Sequence, residues 1–222
     1  LLARWTGRPG PWTGWGRRAY LGAQPVVDPA DGTLFLAAKR IAVSDPTCTF
    51  TQPVTRSQVL FTSHDGGVTF GPAVTVAAVT AATPTGALEL GPGLDIRTIE
   101  FPALAVHGST LWLAWNDGSS GRSHLRLATS SDRGASWVHS SVTRGSGDEI
   151  QPSLANDARG LHIAFYRRNA DNSLDTAVAD SSDSGVHFTS HVVTSRPSPA
   201  CGPCRHSTRW WGSPTWVTTS RW

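Results

Sequence analysis

The sequence predicts an all-β protein: a β-propeller of four-stranded antiparallel blades, about three of them present, so an incomplete ring. Three observations predict this. Gly and Pro are plentiful, 22 and 15 of 222 residues, while charged residues make up only 16%. That balance favours many turns over a helical bundle. An octet of the form S-x-D-x-G-x-x-aromatic occurs as SHDGGVTF (Ser63–Phe70), SSDRGASW (Ser130–Trp137) and SSDSGVHF (Ser181–Phe188). The segments upstream of the octets also match, and Asp132 and Asp183 are 51 residues apart. Four-stranded units repeating about every fifty residues are the mark of a propeller.

The elements of one unit follow in order. PVVDPADGTLFLAAKR from Pro25, PALAVHGSTLWLAWND from Pro102 and PSLANDARGLHIAFYRR from Pro152 each read as a short strand, a turn and a second, apolar strand. A third strand enters the octet at Gln58–Thr62, His124–Thr129 and Asp175–Asp180. A fourth leaves it at Ala73–Ala78, Val138–Thr143 and His191–Thr194. The first unit is stretched by insertions at 40–56 and 79–100. Leu111–Trp115 is apolar throughout, whereas a sheet with one wet face would alternate. Burial on both faces suits blades stacked around an axis. A β-sandwich with regular turns is the alternative.

The octet is expected to close the hairpin between the third and fourth strands. Asp65, Asp132 and Asp183 can accept hydrogen bonds from nearby backbone N–H groups. Gly67, Gly134 and Gly185 supply a positive φ. Ser63, Ser130 and Ser181 add a local hydroxyl bond. Phe70, Trp137 and Phe188 re-enter between sheets and anchor the loop. A calcium loop is the functional rival, but the octet is too short and too poor in carboxylates for one. These aspartates are therefore read as structural, not as catalytic acids.

On these residues the octet resembles the Asp-box, or bacterial neuraminidase repeat, and residues 25–195 resemble the sialidase-like propeller superfamily. The resemblance implies a propeller acting on, or binding, glycans outside bacterial cells or at their surface. Asp-boxes also occur in non-enzymatic propellers, so the fold alone does not establish chemistry.

In a four-stranded meander the 1–2 and 3–4 turns share one end, and the 2–3 and 4–1 connections share the other. Both insertions fall at the end away from the Asp-boxes, where function is expected to sit on the loops. Arg97 and Glu100 precede the innermost strand of the second unit, and Asp148 and Glu149 that of the third. Arg40, Asp117, Tyr166, Arg167 and Arg168 end second strands. Sialidases, by resemblance, hold a substrate carboxylate with three arginines and use a Tyr–Glu pair as nucleophile with an Asp as acid/base. Guanidinium forks match carboxylates, and glycoside cleavage needs an acid and a nucleophile about the scissile bond. The catalytic candidates are accordingly Glu149, Tyr166 and Asp148, and the substrate-binding candidates Arg97, Glu100 and Arg167. The carry-over is incomplete. The Arg-Ile-Pro signature is absent, and Tyr20 and Tyr166 are the sole tyrosines. Tyr166 ends the apolar strand HIAFY, where a packed aromatic is the plain reading. The reading calls for no cofactor and no metal ion.

All 16 acidic residues lie within 25–195, against 11 of the basic ones, so that part carries about −5 and the ends carry the positive charge. An acidic core argues against nucleic acid as a partner. No apolar run approaches the roughly 18–20 residues of a membrane helix, and no signal-peptide pattern opens the chain. Residues 1–24 and 196–222 are expected to be irregular, and they hold seven of the ten tryptophans. Cys201-Gly-Pro-Cys204 has a redox-motif spacing but no βαβ context. A zinc reading would need further ligands beyond His206, with Cys48 far away in sequence. A disulfide between Cys201 and Cys204 would close almost nothing.

Back-translated within codon degeneracy and shifted by two bases, the tail RHSTRWWGSPTWVTTSR reads AFDPVVGLAYMGDYI. That string resembles the Met-Gly-Asp-Tyr segment that follows such repeats in bacterial sialidase-like proteins. A frameshift near residues 196–205 is therefore expected, and the chain as it stands is expected to be an inactive sialidase-like portion. The alternative is a non-catalytic glycan- or protein-binding module of a secreted or surface protein. Sequencing the gene tests the frameshift: bases that forbid the shifted reading end it.

Overall fold

The computed structural model describes residues 17–43, 54–143 and 145–198. Regular structure among them is entirely β. Strands β1 (Arg17–Val27), β2 (Leu34–Val43), β3 (Val54–Ser63) and β4 (Val74–Ala78) form the first sheet. A hairpin of β5 (Ala87–Gly91) and β6 (Leu94–Arg97) follows. Strands β7 (Ala103–His107), β8 (Thr110–Asp117), β9 (His124–Ser130) and β10 (Val138–Ser141) form the second sheet. Strands β11 (Glu149–Asp157), β12 (Gly160–Arg168), β13 (Leu174–Ser181) and β14 (Thr189–Val192) form the third. Each four-stranded sheet is an antiparallel meander in chain order, and β1, β7 and β11 adjoin at the centre. The fold is a partial propeller of three blades.

The strand boundaries correct the sequence reading in places. Residues 17–24 were expected to be irregular, yet they belong to β1, paired from Arg17↔Val43 to Leu21↔Lys39. As an unpartnered edge, β1 tolerates the arginines that hide strand periodicity. Its register shifts between Leu21 and Gln24. The 79–100 insertion is not a bare connection, since it contains β5 and β6. The fourth strand of the third unit starts at Thr189, two residues before His191, because Thr189 pairs with Asp180. Cys48, the Cys201–Cys204 motif and the tryptophan-rich ends lie outside the described residues.

Two apolar clusters hold the sheets together. Phe35, Ala37 and Leu60 of the first sheet pack against Leu104, Leu111, Leu113 and Trp115 of the second. Trp112, Ala114, Leu125 and Leu127 of the second pack against Leu161, Ile163 and Phe165 of the third. Consecutive residues of β8 thus serve alternate clusters, as side chains alternating across a strand must. The middle sheet is dry on both faces. Each leucine so buried contributes about 1.5–3 kcal/mol, and Leu111, Leu113, Leu125 and Leu127 are all fully buried.

Every octet bridges β3–β4, β9–β10 or β13–β14, and the three copies repeat one set of bonds. The Ser63 hydroxyl donates to Asp65 Oδ1 at 2.7 Å and accepts from Gly67 N at 2.9 Å. The same Oδ1 accepts from Thr69 N at 2.9 Å. Ser130, Asp132, Gly134 and Ser136 repeat this at 2.7–2.8 Å. Ser181, Asp183, Gly185 and His187 do so at 2.8–2.9 Å. The glycines have φ of 88°, 93° and 90°, a region closed to most side chains. Trp137 and Phe188 pack into the two clusters. Phe70 departs from the expected anchoring: it is 37% exposed, because no sheet precedes its own among the described residues.

These bonds stabilise the ionised carboxylates. Hydrogen bonds from Thr69 and Ser136 bring Asp65 and Asp132 down to about 2, and the backbone and side chain of His187 also hold Asp183 low. A carboxylate lowered on folding contributes stability above its unfolded value, near 4, and loses it as pH falls toward the folded value. The melting temperature is therefore expected to drop between pH 4 and 2. Asp132→Asn should melt lower at pH 6 and show a shallower acid-side fall, both measurable by thermal melts across that range.

Candidate functional site

The 2–3 and 4–1 connections meet at the end of the sheets away from the Asp-boxes. There the structure separates the expected site residues into two groups. The acids are buried and occupied. Glu100 forms an ion pair with Lys39, and both are nearly inaccessible. Its Oε1 accepts from Ala82 N at 2.7 Å, and its backbone oxygen from Gln58 Nε2 at 2.8 Å. Asp148 accepts from Ser123 N at 3.0 Å and from Arg168 Nη2 at 2.6 Å. Glu149 accepts from the Thr143 hydroxyl and lies 3.3 Å from His124 Nδ1. Buried polar groups so paired tie loops to strands. Asp117 is used similarly, accepting from Thr80 N and Ser119 N.

The arginines are disposed differently. Arg122, Arg167 and Arg168 line one cavity of about 670 Å³. Gly145–Gly147 form another part of its wall, and Asn169 and Asn172 complete the polar lining. Arg122 comes from the β8–β9 connection, Gly145–Gly147 from the entry to β11, and Arg167 and Arg168 from the end of β12. Arg122 is 56% exposed and has Asp148 at 3.8 Å. Arg167 has Asp175 at 3.6 Å, leaving donors on both for a ligand. Arg168 is more committed, to Asp148, to the Glu89 carbonyl at 3.1 Å and to Asn172. Arg122 escaped the sequence reading. The only signal for it was its place in a 2–3 connection, in the polar run GSSGRSH.

Arg97 is exposed at the end of β6, and its carbonyl accepts from Gln151 Nε2 at 2.8 Å. It does not line the arginine cavity. Tyr166 and Glu149 are not brought together. Glu149 pairs with Arg167 across the β11–β12 ladder, and Tyr166 is the next residue to Arg167. Consecutive strand residues leave opposite faces, so Tyr166 lies on the outer face of the third sheet, 40% exposed. Near the axis a second cavity, of about 350 Å³, is lined by Gln24, Phe101–Leu104 and Gln151–Leu154. Gln151 has a φ of 53°, unusual outside glycine and asparagine. Among the described residues no group of three or more His, Cys, Asp or Glu is placed to hold a metal ion.

A stack of Asp-box blades with its polar loops at one end defines a class by fold: the BNR-repeat β-propellers. The BNR repeat-like domain family matches residues 17–210, and the chain belongs to that family. Solved structures agree in fold. A Hadza microbial sialidase shares 19% identity at a TM-score of 0.51, covering 81% of this chain and 37% of that one. An α-L-arabinofuranosidase variant from Fusarium graminearum, in complex with an iminosugar inhibitor, shares 14% at 0.50, covering 83% and 52%. A β-1,2-mannobiose phosphorylase from Listeria innocua shares 10% at 0.50, covering 84% and 62%. The chain thus spans between 37% and 62% of these structures. No curated protein sequence matches it.

Lys39 and Glu100 join the first sheet to the approach of the second. Removing one partner of a buried pair leaves a charge in a dry site, at a cost of about 3–5 kcal/mol. Lys39→Met is expected to destabilise by that order in urea melts, and Lys39→Met with Glu100→Gln by less.

Proposed function

We propose that this protein is a glycan-binding, glycoside-hydrolase-like propeller portion that recognises acidic sugars through Arg122 and Arg167, and that it does not cleave them as it stands. The observation that carries this reading is the single cavity lined by three arginines and two asparagines. Guanidinium forks suit a sugar carboxylate, and amide groups suit its hydroxyls. The nearby acids give no support for cleavage. Asp148 and Glu149 are buried in protein hydrogen bonds, and Tyr166 leaves the opposite face from Glu149. By the same family reading, the protein works outside the cell or at its surface.

A second reading is an exo-sialidase. Its support is local: Glu149 sits opposite Arg167 in the ladder, and its Oε1 lies 3.3 Å from where a Cβ on Gly145, in the cavity wall, would stand. Titration with sialyllactose, a glucuronate disaccharide and lactose, followed by calorimetry, separates the readings. Binding of the acidic sugars alone, weakened at least tenfold in Arg167→Ala and in Arg122→Ala, is the expected result. Equal binding of lactose would sink it. Turnover of a fluorogenic sialoside, abolished in Glu149→Gln, would establish the second reading instead.

A further inference from the structure

At one place the second sheet departs from the repeat. Four residues before each octet serine, the third strand carries Val59, Arg126 or Ala177. Opposite them in the ladders stand Ala38, Trp115 and Phe165. Directly opposed residues share a face of the sheet. The first and third sheets fill this place with an apolar pair, whereas the second puts an indole and a guanidinium there. Both line a cavity of about 340 Å³, bordered on its other side by the end of β4 at Ala77–Thr80. That volume suits a small molecule.

Three groups at this cavity lack the partner that their chemistry calls for. Trp115 is 3% exposed, and its indole Nε1 has no acceptor among the described residues. Trp112 and Trp137, by contrast, donate to the carbonyls of Ser184 and Gly134. Arg126 is half-buried. Its guanidinium donates to the hydroxyls of Ser141 at 2.6 Å and Ser119 at 3.1 Å, and no carboxylate pairs with it among the described residues. Asp117, also in the wall, is 5% exposed. Its two oxygens accept from Thr80 N at 2.8 Å and Ser119 N at 2.9 Å, and no cation pairs with it among the described residues. Arg126 and Asp117 thus face one cavity with opposite charges and form no ion pair with each other. The wall between them is fixed. His139 stands edge to face with Trp115 at 6.4 Å, and its Nε2 donates to the Val76 carbonyl at 2.9 Å.

Charges withdrawn from water call for partners, and a carboxylate oxygen that accepts one backbone N–H keeps a further lone pair. We propose that this cavity binds a small zwitterion, a free α-amino acid. Its carboxylate accepts from the Arg126 guanidinium and from Trp115 Nε1, and its ammonium donates to Asp117. Its side chain lies against Ala77 and Val79. A simple anion would meet the unpaired charge of Asp117, a simple cation would meet that of Arg126, and a neutral sugar would pair neither. The site shares no residue with the arginine cavity, and it stands independently of which glycan the protein binds.

Calorimetric titration of the full chain with L-alanine, L-serine and L-leucine tests this, with acetate and methylammonium as the two half-ligands. The expected result is saturable binding of at least one amino acid, with each half-ligand bound at least tenfold more weakly. Trp115→Phe and Arg126→Ala put the third sheet's own residues at these places, and each should weaken binding at least tenfold. Val186→Ser, at an exposed hairpin residue of the third sheet, should leave it unchanged. Far-UV circular dichroism melts check that the variants remain folded. In proton–nitrogen correlation spectra, the indole signal lost in Trp115→Phe should be the one that moves when the amino acid is added to the parent. Absence of saturable binding by all three amino acids overturns the proposal. So does acetate bound as tightly as the amino acid, or binding that persists unaltered in both variants.

Discussion

The serine hydroxyl at the end of each third strand is the constraint on which the rest depends. It donates to the aspartate and accepts from the glycine N–H, so one oxygen closes the hairpin from both sides. With the hairpin closed, the glycine can lie flat on the preceding sheet. A side chain there would be strained by φ and would push into Leu60 or Leu127. The dry interfaces between sheets follow from that close approach. Leu60 and Leu127 are each met there by the hairpin glycine of the next sheet.

The same geometry divides the molecule by function. Aspartates at the hairpin end are held ionised by local donors that close the turn. At the opposite end the connections differ in length and composition, and side chains project from the rims of two sheets. Arg122, Arg167 and Arg168 meet there because a 2–3 connection of the second sheet faces a 2–3 connection of the third. The acids on this rim act as ties: Asp148 holds Arg168 and the backbone of Ser123, and Glu149 holds Thr143. Charge on the rim is thereby sorted, with carboxylates inside and guanidiniums outside.

Much of the fold was legible because the repeat is written in residue types that have one geometric use. Ser, Asp and Gly at fixed offsets announced each hairpin, and the apolar run Leu111–Trp115 announced a sheet dry on both faces. The arginines of β1 concealed a strand, because an edge can bear charge where a central strand cannot. The site was less legible. A shared place at the loop end of the third unit's strands grouped Asp148, Glu149, Tyr166 and Arg167, but the pleat sends Tyr166 to the other face. Arg122 is far from Arg167 in sequence, and only the stacking of sheets makes them neighbours. Burial also decides whether a carboxylate is a tie or a reagent, and no spacing rule reports burial.

The meander order of each sheet has a kinetic consequence. Every strand pairs with its immediate predecessor or successor, and every hairpin staple spans four residues or fewer. Loop closure is therefore cheap, and local pairing is quick compared with long-range docking. On a ribosome, the strands of a blade can pair as soon as its fourth strand emerges, and its faces become buried when the next blade docks. Assembly from the N-terminus, one blade at a time, is the route this connectivity favours.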